Sequence, residues 1–68
     1  MDSQAFRLLL HRRVRESQAV VEYERERVAI AMDCQDFQGA ITYANRMRVH
    51  GLRVERYQIK LFLFSNNL

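Results

Sequence analysis

Apolar residues return every three or four positions along the first half of the chain. Phe6, Leu10, Val14, Val21, Val28 and Ala31 keep that spacing, with Leu9, Val20 and Met32 beside them. A pattern of this period lines one face of an α-helix, so a helix is predicted over about residues 3–32. Asp2 or Ser3 can cap its first turn by accepting a backbone hydrogen bond. Two polar residues, Ser17 and Glu24, fall on the same stripe. Either they fix register inside an apolar seam at some cost in stability, or the seam frays there and both reach water. The pattern breaks at Asp33-Cys34-Gln35-Asp36. Aspartate is a poor helix-interior residue and a good N-cap. Asp36 is therefore predicted to cap a second helix starting at Phe37. A turn over about 33–36 is short enough to join two antiparallel neighbours.

In the second segment Phe37, Ala40, Ile41, Ala44 and Met47 again share a face, and the small Gly39, Ala40 and Ala44 allow close helix approach near the turn. Beyond Met47 the pattern supports two structures. If the helix continues, the stripe runs on through Gly51, Val54, Tyr57, Leu61 and Phe64, giving a helix over about 37–64. If Gly51 is a C-terminal cap, a strand follows, with Tyr57, Ile59, Leu61 and Leu63 alternating with Gln58, Lys60 and Phe62. The helix is preferred, because a lone strand has no partner within the chain.

The expected fold class is thus all-α, a single domain (1–68) built as an antiparallel hairpin of two long helices, each about 45 Å long. A hairpin has one internal interface. Leu8, Leu9, Val20, Ile30, Ile59, Phe62 and Leu63 are left without a place in it, and uncovered apolar surface of that kind marks association. Two hairpins packed face to face would form a four-helix bundle with a proper core, so a homodimer is expected. The candidate surface for the second protomer, or for another protein, is Phe6, Leu9 and Leu10 with Ile59, Phe62 and Leu63.

Length and composition narrow the function. A chain of 68 residues, 49% hydrophobic, buries only about 60% of its unfolded surface and has little room for a substrate pocket of its own. With a single cysteine there is no internal disulfide, and Cys34, His11 and His50 have no metal-ligand spacing. Glu22, Glu24 and Glu26 alternate with Tyr23, Arg25 and Arg27, so on a helix the carboxylates do not converge as an acid–base pair. They are expected on a solvated face with ion pairs across to Arg46 and Arg48. No catalytic residue, metal site or cofactor is predicted, and the chain is read as a non-enzyme. No apolar run reaches the length of a membrane span. A lone thiol without a secretory signal suggests a reducing compartment, so a cytoplasmic location is expected.

Charge adds the remaining clue. The net charge of +3 rests on ten Arg and one Lys, against eight acids. Residues 1–20 and 46–68 are basic and residues 21–45 acidic, so a hairpin collects both basic segments at its open end. Arg12, Arg13, Arg15, Arg53, Arg56 and Lys60 form the candidate basic patch. It could neutralise phosphates, or lie beside the acidic turn of a second protomer in an antiparallel dimer. In size and composition the chain resembles accessory proteins of bacteriophages and other mobile elements, and that resemblance implies a regulator that binds a host or viral protein. The leading functional expectation is a dimeric protein-interaction or regulatory module. The alternative is a nucleic-acid-binding protein that uses its basic end.

Overall fold

The computed structural model describes residues 3–66, and it contains two helices packed against each other: α1, Ser3–Asp33, and α2, Phe37–Asn66. Asp2, one of the two candidate caps for α1, lies outside the described residues. The hairpin measures 51 × 15 × 14 Å, with a radius of gyration of 15.5 Å. A compact chain of this length would have a radius of about 11 Å. The elongation follows directly from two helices of 31 and 30 residues lying side by side.

The reversal between the helices is a single interlocked capping structure. Gln35 takes a left-handed backbone conformation with φ of 59°. The Gln35 amide donates to the Met32 carbonyl at 3.0 Å and the Asp36 amide to the Ala31 carbonyl at 2.8 Å. This is the Schellman pattern that satisfies the last carbonyls of a helix. The same Asp36 then opens α2. Its side-chain Oδ1 accepts from the Gly39 amide at 3.0 Å, and its carbonyl accepts from the Ala40 amide at 3.0 Å. Asp36 is thus the predicted N-cap. An added Cβ at Gly39 would meet the Asp36 carboxylate as it is held in the cap, so a larger residue there would make that side chain shift.

α2 continues through Gly51 without a break, so the strand alternative beyond that residue is overturned. A glycine in a helix interior costs only about 1 kcal/mol relative to alanine. The stripe on either side of Gly51 makes enough contact with α1 to carry the helix through it.

The two helices meet along one seam. α1 contributes Arg7, Leu10, Val14, Ser17, Val21, Glu24, Val28 and Ala31; α2 contributes Ala40, Tyr43, Met47, His50, Val54, Tyr57, Leu61 and Phe64. Both sets step by three and four residues alternately, the spacing of a two-stranded coiled coil. Phe6 stacks on Phe64 at 5.4 Å, and Arg27 lies over Tyr43, which sets the antiparallel register. Leu10, Val14, Ala31 and Ala40 are the buried apolar residues, and no large side chain is fully enclosed.

Two seam expectations need correction. Phe37 and Ile41 are more than half exposed, because a two-stranded seam accommodates two positions in seven and both fall on its flank. Tyr43 and His50 take the places beside α1 instead. Ser17 and Glu24 do not fray into solvent; both are buried.

The turn yields a direct test. Asp36→Ala should cost about 1 kcal/mol, since it leaves the first amides of α2 unsatisfied. Gln35→Gly should add about 0.5–1 kcal/mol by relieving the left-handed conformation. Urea melts of the two variants should therefore shift in opposite directions.

Candidate functional site

Three features on the hairpin have chemical character: a row of cations along one side, a polar layer inside the seam, and apolar side chains on the outer faces. The first depends on heptad arithmetic. Arg46, Arg53 and Lys60 recur every seven residues on α2, so they stand in line about 10 Å apart. The antiparallel register adds Arg13 and Arg27 from α1 to the same side. Arg13 and Arg53 line one shallow groove together with Glu16, Ser17, Val20, His50 and Tyr57.

Tyrosines are set between these cations. The Arg27 guanidinium lies 3.8 Å from the centre of the Tyr43 ring, Arg46 approaches the same ring at 5.9 Å, and Lys60 Nζ lies 5.9 Å from the Tyr57 ring. Arg27 is also 5.3 Å from the Tyr23 ring. Stacking of this kind fixes an otherwise flexible cation and contributes roughly 0.5–1 kcal/mol per contact at exposed sites. Partial burial works against the Arg27 charge, but its neighbours Tyr43, Tyr23 and Glu24 outweigh it and raise its pKa above the ordinary arginine value. Like any arginine it is a permanent cation.

The polar layer lies at the middle of the seam. Glu24 is only 6% exposed. Its Oε1 lies 3.6 Å from Arg27, while its Oε2 is buried without a hydrogen-bond partner. His50 Nδ1 and Arg7 Nε are likewise buried without one, although the Arg7 guanidinium lies 5.7 Å from the Phe64 ring. A carboxylate held this way gives up hydration for one long ion pair, and that exchange is unfavourable.

The expected ion pairs from Glu22, Glu24 and Glu26 across to Arg46 and Arg48 are not formed among the described residues. Glu22 pairs with Arg25 at 2.8 Å and Glu24 with Arg27, both within α1. A residue three positions along the same helix is nearer than any cation across the seam.

The six candidate patch residues share one end of the molecule but not one face. Arg13, Arg53 and Lys60 belong to the row. Arg12 and Arg15 border a separate hollow with Ala5, Leu8 and Leu9, and Arg56 points outward from α2. Arg27 and Arg46 were missed because the charge reading divided the chain into end and middle segments. The seven-residue repeat of Arg46, Arg53 and Lys60 is the signal that finds them.

Of the candidate association residues, Leu10 is buried within the hairpin and Phe6 packs on its own Phe64. Leu10 therefore offers no surface to a partner, while Phe6 is half-buried beside the seam. Leu9, Ile59, Phe62 and Leu63 are exposed, as are Leu8, Ile30 and Leu52. Cys34 is exposed at the turn. Among the described residues no cluster of His, Cys, Asp or Glu could hold a metal ion, and no helix is long and apolar enough to cross a membrane. Compared with known proteins, the chain matches no family model, no curated protein and no solved structure.

The buried carboxylate can be tested by substitution. Replacing both partners, Glu24→Leu with Arg27→Leu, should raise the stability of the hairpin by about 1–4 kcal/mol, as replacement of a poorly formed buried ion pair by apolar side chains often does. An unchanged or lower urea midpoint would show that Glu24 acquires a partner in the assembled protein.

Proposed function

We propose that this chain is a non-enzymatic interaction module that works as a helical dimer and presents its outer faces to another protein. The observation that carries this reading is its surface. The hairpin exposes 5363 Å², whereas a compact folded chain of 8.2 kDa would expose about 4,500 Å². The excess of about 800 Å² is close to what each partner buries in a standard protein–protein interface. Large apolar side chains such as Ile30, Ile59 and Phe62 are exposed on the hairpin, and the dimer is the simplest arrangement that removes such side chains from water.

The outer face of α2 suits a second protein. Val49, Leu52, Ile59 and Leu63 are exposed there on a three-and-four spacing, flanked by Arg53, Arg56 and Lys60. Apolar side chains in a cationic frame fit a partner with an amphipathic, acidic surface. The small size and arginine-rich composition are the ground for reading it as a regulatory accessory protein of the mobile-element type.

Sedimentation equilibrium at micromolar concentration should give about 16 kDa, twice the chain mass of 8.2 kDa. A stable, cooperatively melting species of 8.2 kDa would overturn the reading.

A second reading has its own observation, the row of Arg13, Arg27, Arg46, Arg53 and Lys60 with tyrosines interleaved. Such a row follows a phosphate backbone. If it does, binding to random duplex or single-stranded DNA should weaken steeply with salt. Arg46→Ala and Arg53→Ala should each reduce the logarithmic salt slope by about one. No binding at low salt would remove this reading.

A further inference from the structure

We propose that the second copy docks on the side of the hairpin opposite the arginine row, about a two-fold axis passing Gln18 of α1 and Gly51 of α2. The proposal rests on the dimer reading above and assigns it a face and a register. α2 has a second heptad row beside its seam, and that row is self-complementary about Gly51. Arg48 and Glu55 lie three residues before and four after it, Ala44 and Gln58 seven on either side, and Ile41 and Phe62 ten before and eleven after. When two such helices run antiparallel across a two-fold axis at Gly51, Ile41 of one copy meets Phe62 of the other. Arg48 meets Glu55, and each contact occurs twice.

The same arithmetic holds in α1 about Gln18. Arg15 and Glu22 lie three before and four after, His11 and Arg25 seven on either side, and Leu8 and Ala29 ten before and eleven after. The two centres are also at the same height. Phe6 packs on Phe64 and Arg27 on Tyr43, a register that sets Gln18 level with residues 51 and 52. One axis therefore serves both helices, and α1 meets α1 while α2 meets α2. Every neighbour in the resulting four-helix bundle is antiparallel.

The residues concerned lie on accessible surface, and Glu22 keeps its ion pair with Arg25 within α1. Leu8, Ile41 and Phe62 are more than half exposed, and Arg15, Glu22, Arg48 and Glu55 are exposed. At Gly51 an added Cβ would find no atom within 4 Å. A glycine in open space on the axis lets two backbones approach closely, which gives a reason for the least helix-favouring residue present to sit in mid-helix. The exposed excess of about 800 Å² matches one partner's share of a standard interface.

Charge selects this face and direction. Parallel docking would place Arg48 against Arg48 and Glu55 against Glu55. Self-pairing through the outer row of α2 would centre on Arg56 and bring Arg53 against Lys60. Like charges in contact disfavour both.

The test uses the full chain and charge reversal. Arg48→Glu and Glu55→Arg should each weaken the dimer at least about tenfold by sedimentation, with helical circular dichroism unchanged, and the double reversal should restore it to within about threefold. In a Cys34→Ser background, Gly51→Cys should oxidise to a linked dimer faster than Ile59→Cys. A dimer insensitive to both single reversals, or linked faster through Ile59→Cys than through Gly51→Cys, would overturn the proposed face while leaving dimerisation intact. A monomeric wild-type chain would overturn dimerisation itself.

Discussion

Two helices can share only one interface, and the rest of this structure follows from that limit. A side chain in a two-stranded seam has neighbours on its own helix and on one other, and open solvent on both flanks. Leu10, the most covered apolar residue, still sits at 4% exposure, and no large side chain is fully enclosed. The hydrophobic stabilisation available is therefore confined to one strip of surface. With a chain this short the margin over conformational entropy is narrow. The interlocked turn matters more than it would in a larger domain, because Asp36 completes the end of one helix and starts the next within a single residue.

The helices themselves were readable. Their period, the absence of proline and the aspartate-rich break set both ends of the turn and the antiparallel arrangement. Gly51 divided the reading because glycine is both a helix terminator and a tolerable helix-interior residue. The alternation over Tyr57–Leu63 that suggested a strand puts Phe62 on the polar side, where it does not belong. Ser17 and Glu24 were placed on the seam, but position does not reveal environment. Whether a polar side chain there frays or is buried depends on what the other helix sets across from it. Here the seam of α2 closes over both, leaving them buried.

The chemistry on the surface was less legible. Charges taken by segment gather at the open end of a hairpin, which led to a patch including Arg12, Arg15 and Arg56. Charges taken by helical face give a different set, with Arg27 and Arg46 joined to Arg13, Arg53 and Lys60. Cross-helix register decides between them, and register is fixed by contacts such as Phe6 on Phe64. The tyrosines mark the same side. Tyr57 was read only as part of the apolar stripe and Tyr43 was passed over, yet both hold cations in place.

Phe37 and Ile41 connect these points. The sequence presents an apolar stripe wider than two positions in seven, and a stripe of that width suits a helix that packs against more than one neighbour. In the single hairpin the surplus is visible as exposed Leu8, Ile41 and Phe62 on one side. The opposite side is occupied by arginines and tyrosines and cannot serve for self-association, since a second copy would bring the same charges to it. In the proposed dimer, covering the flank of Leu8, Ile41 and Phe62, where Arg15 would face Glu22 and Arg48 would face Glu55, would leave the cationic rows facing outward on both sides of the assembly. Stability would then be drawn from one face and the other would be left for recognition, so that substitutions on the two faces should be separable.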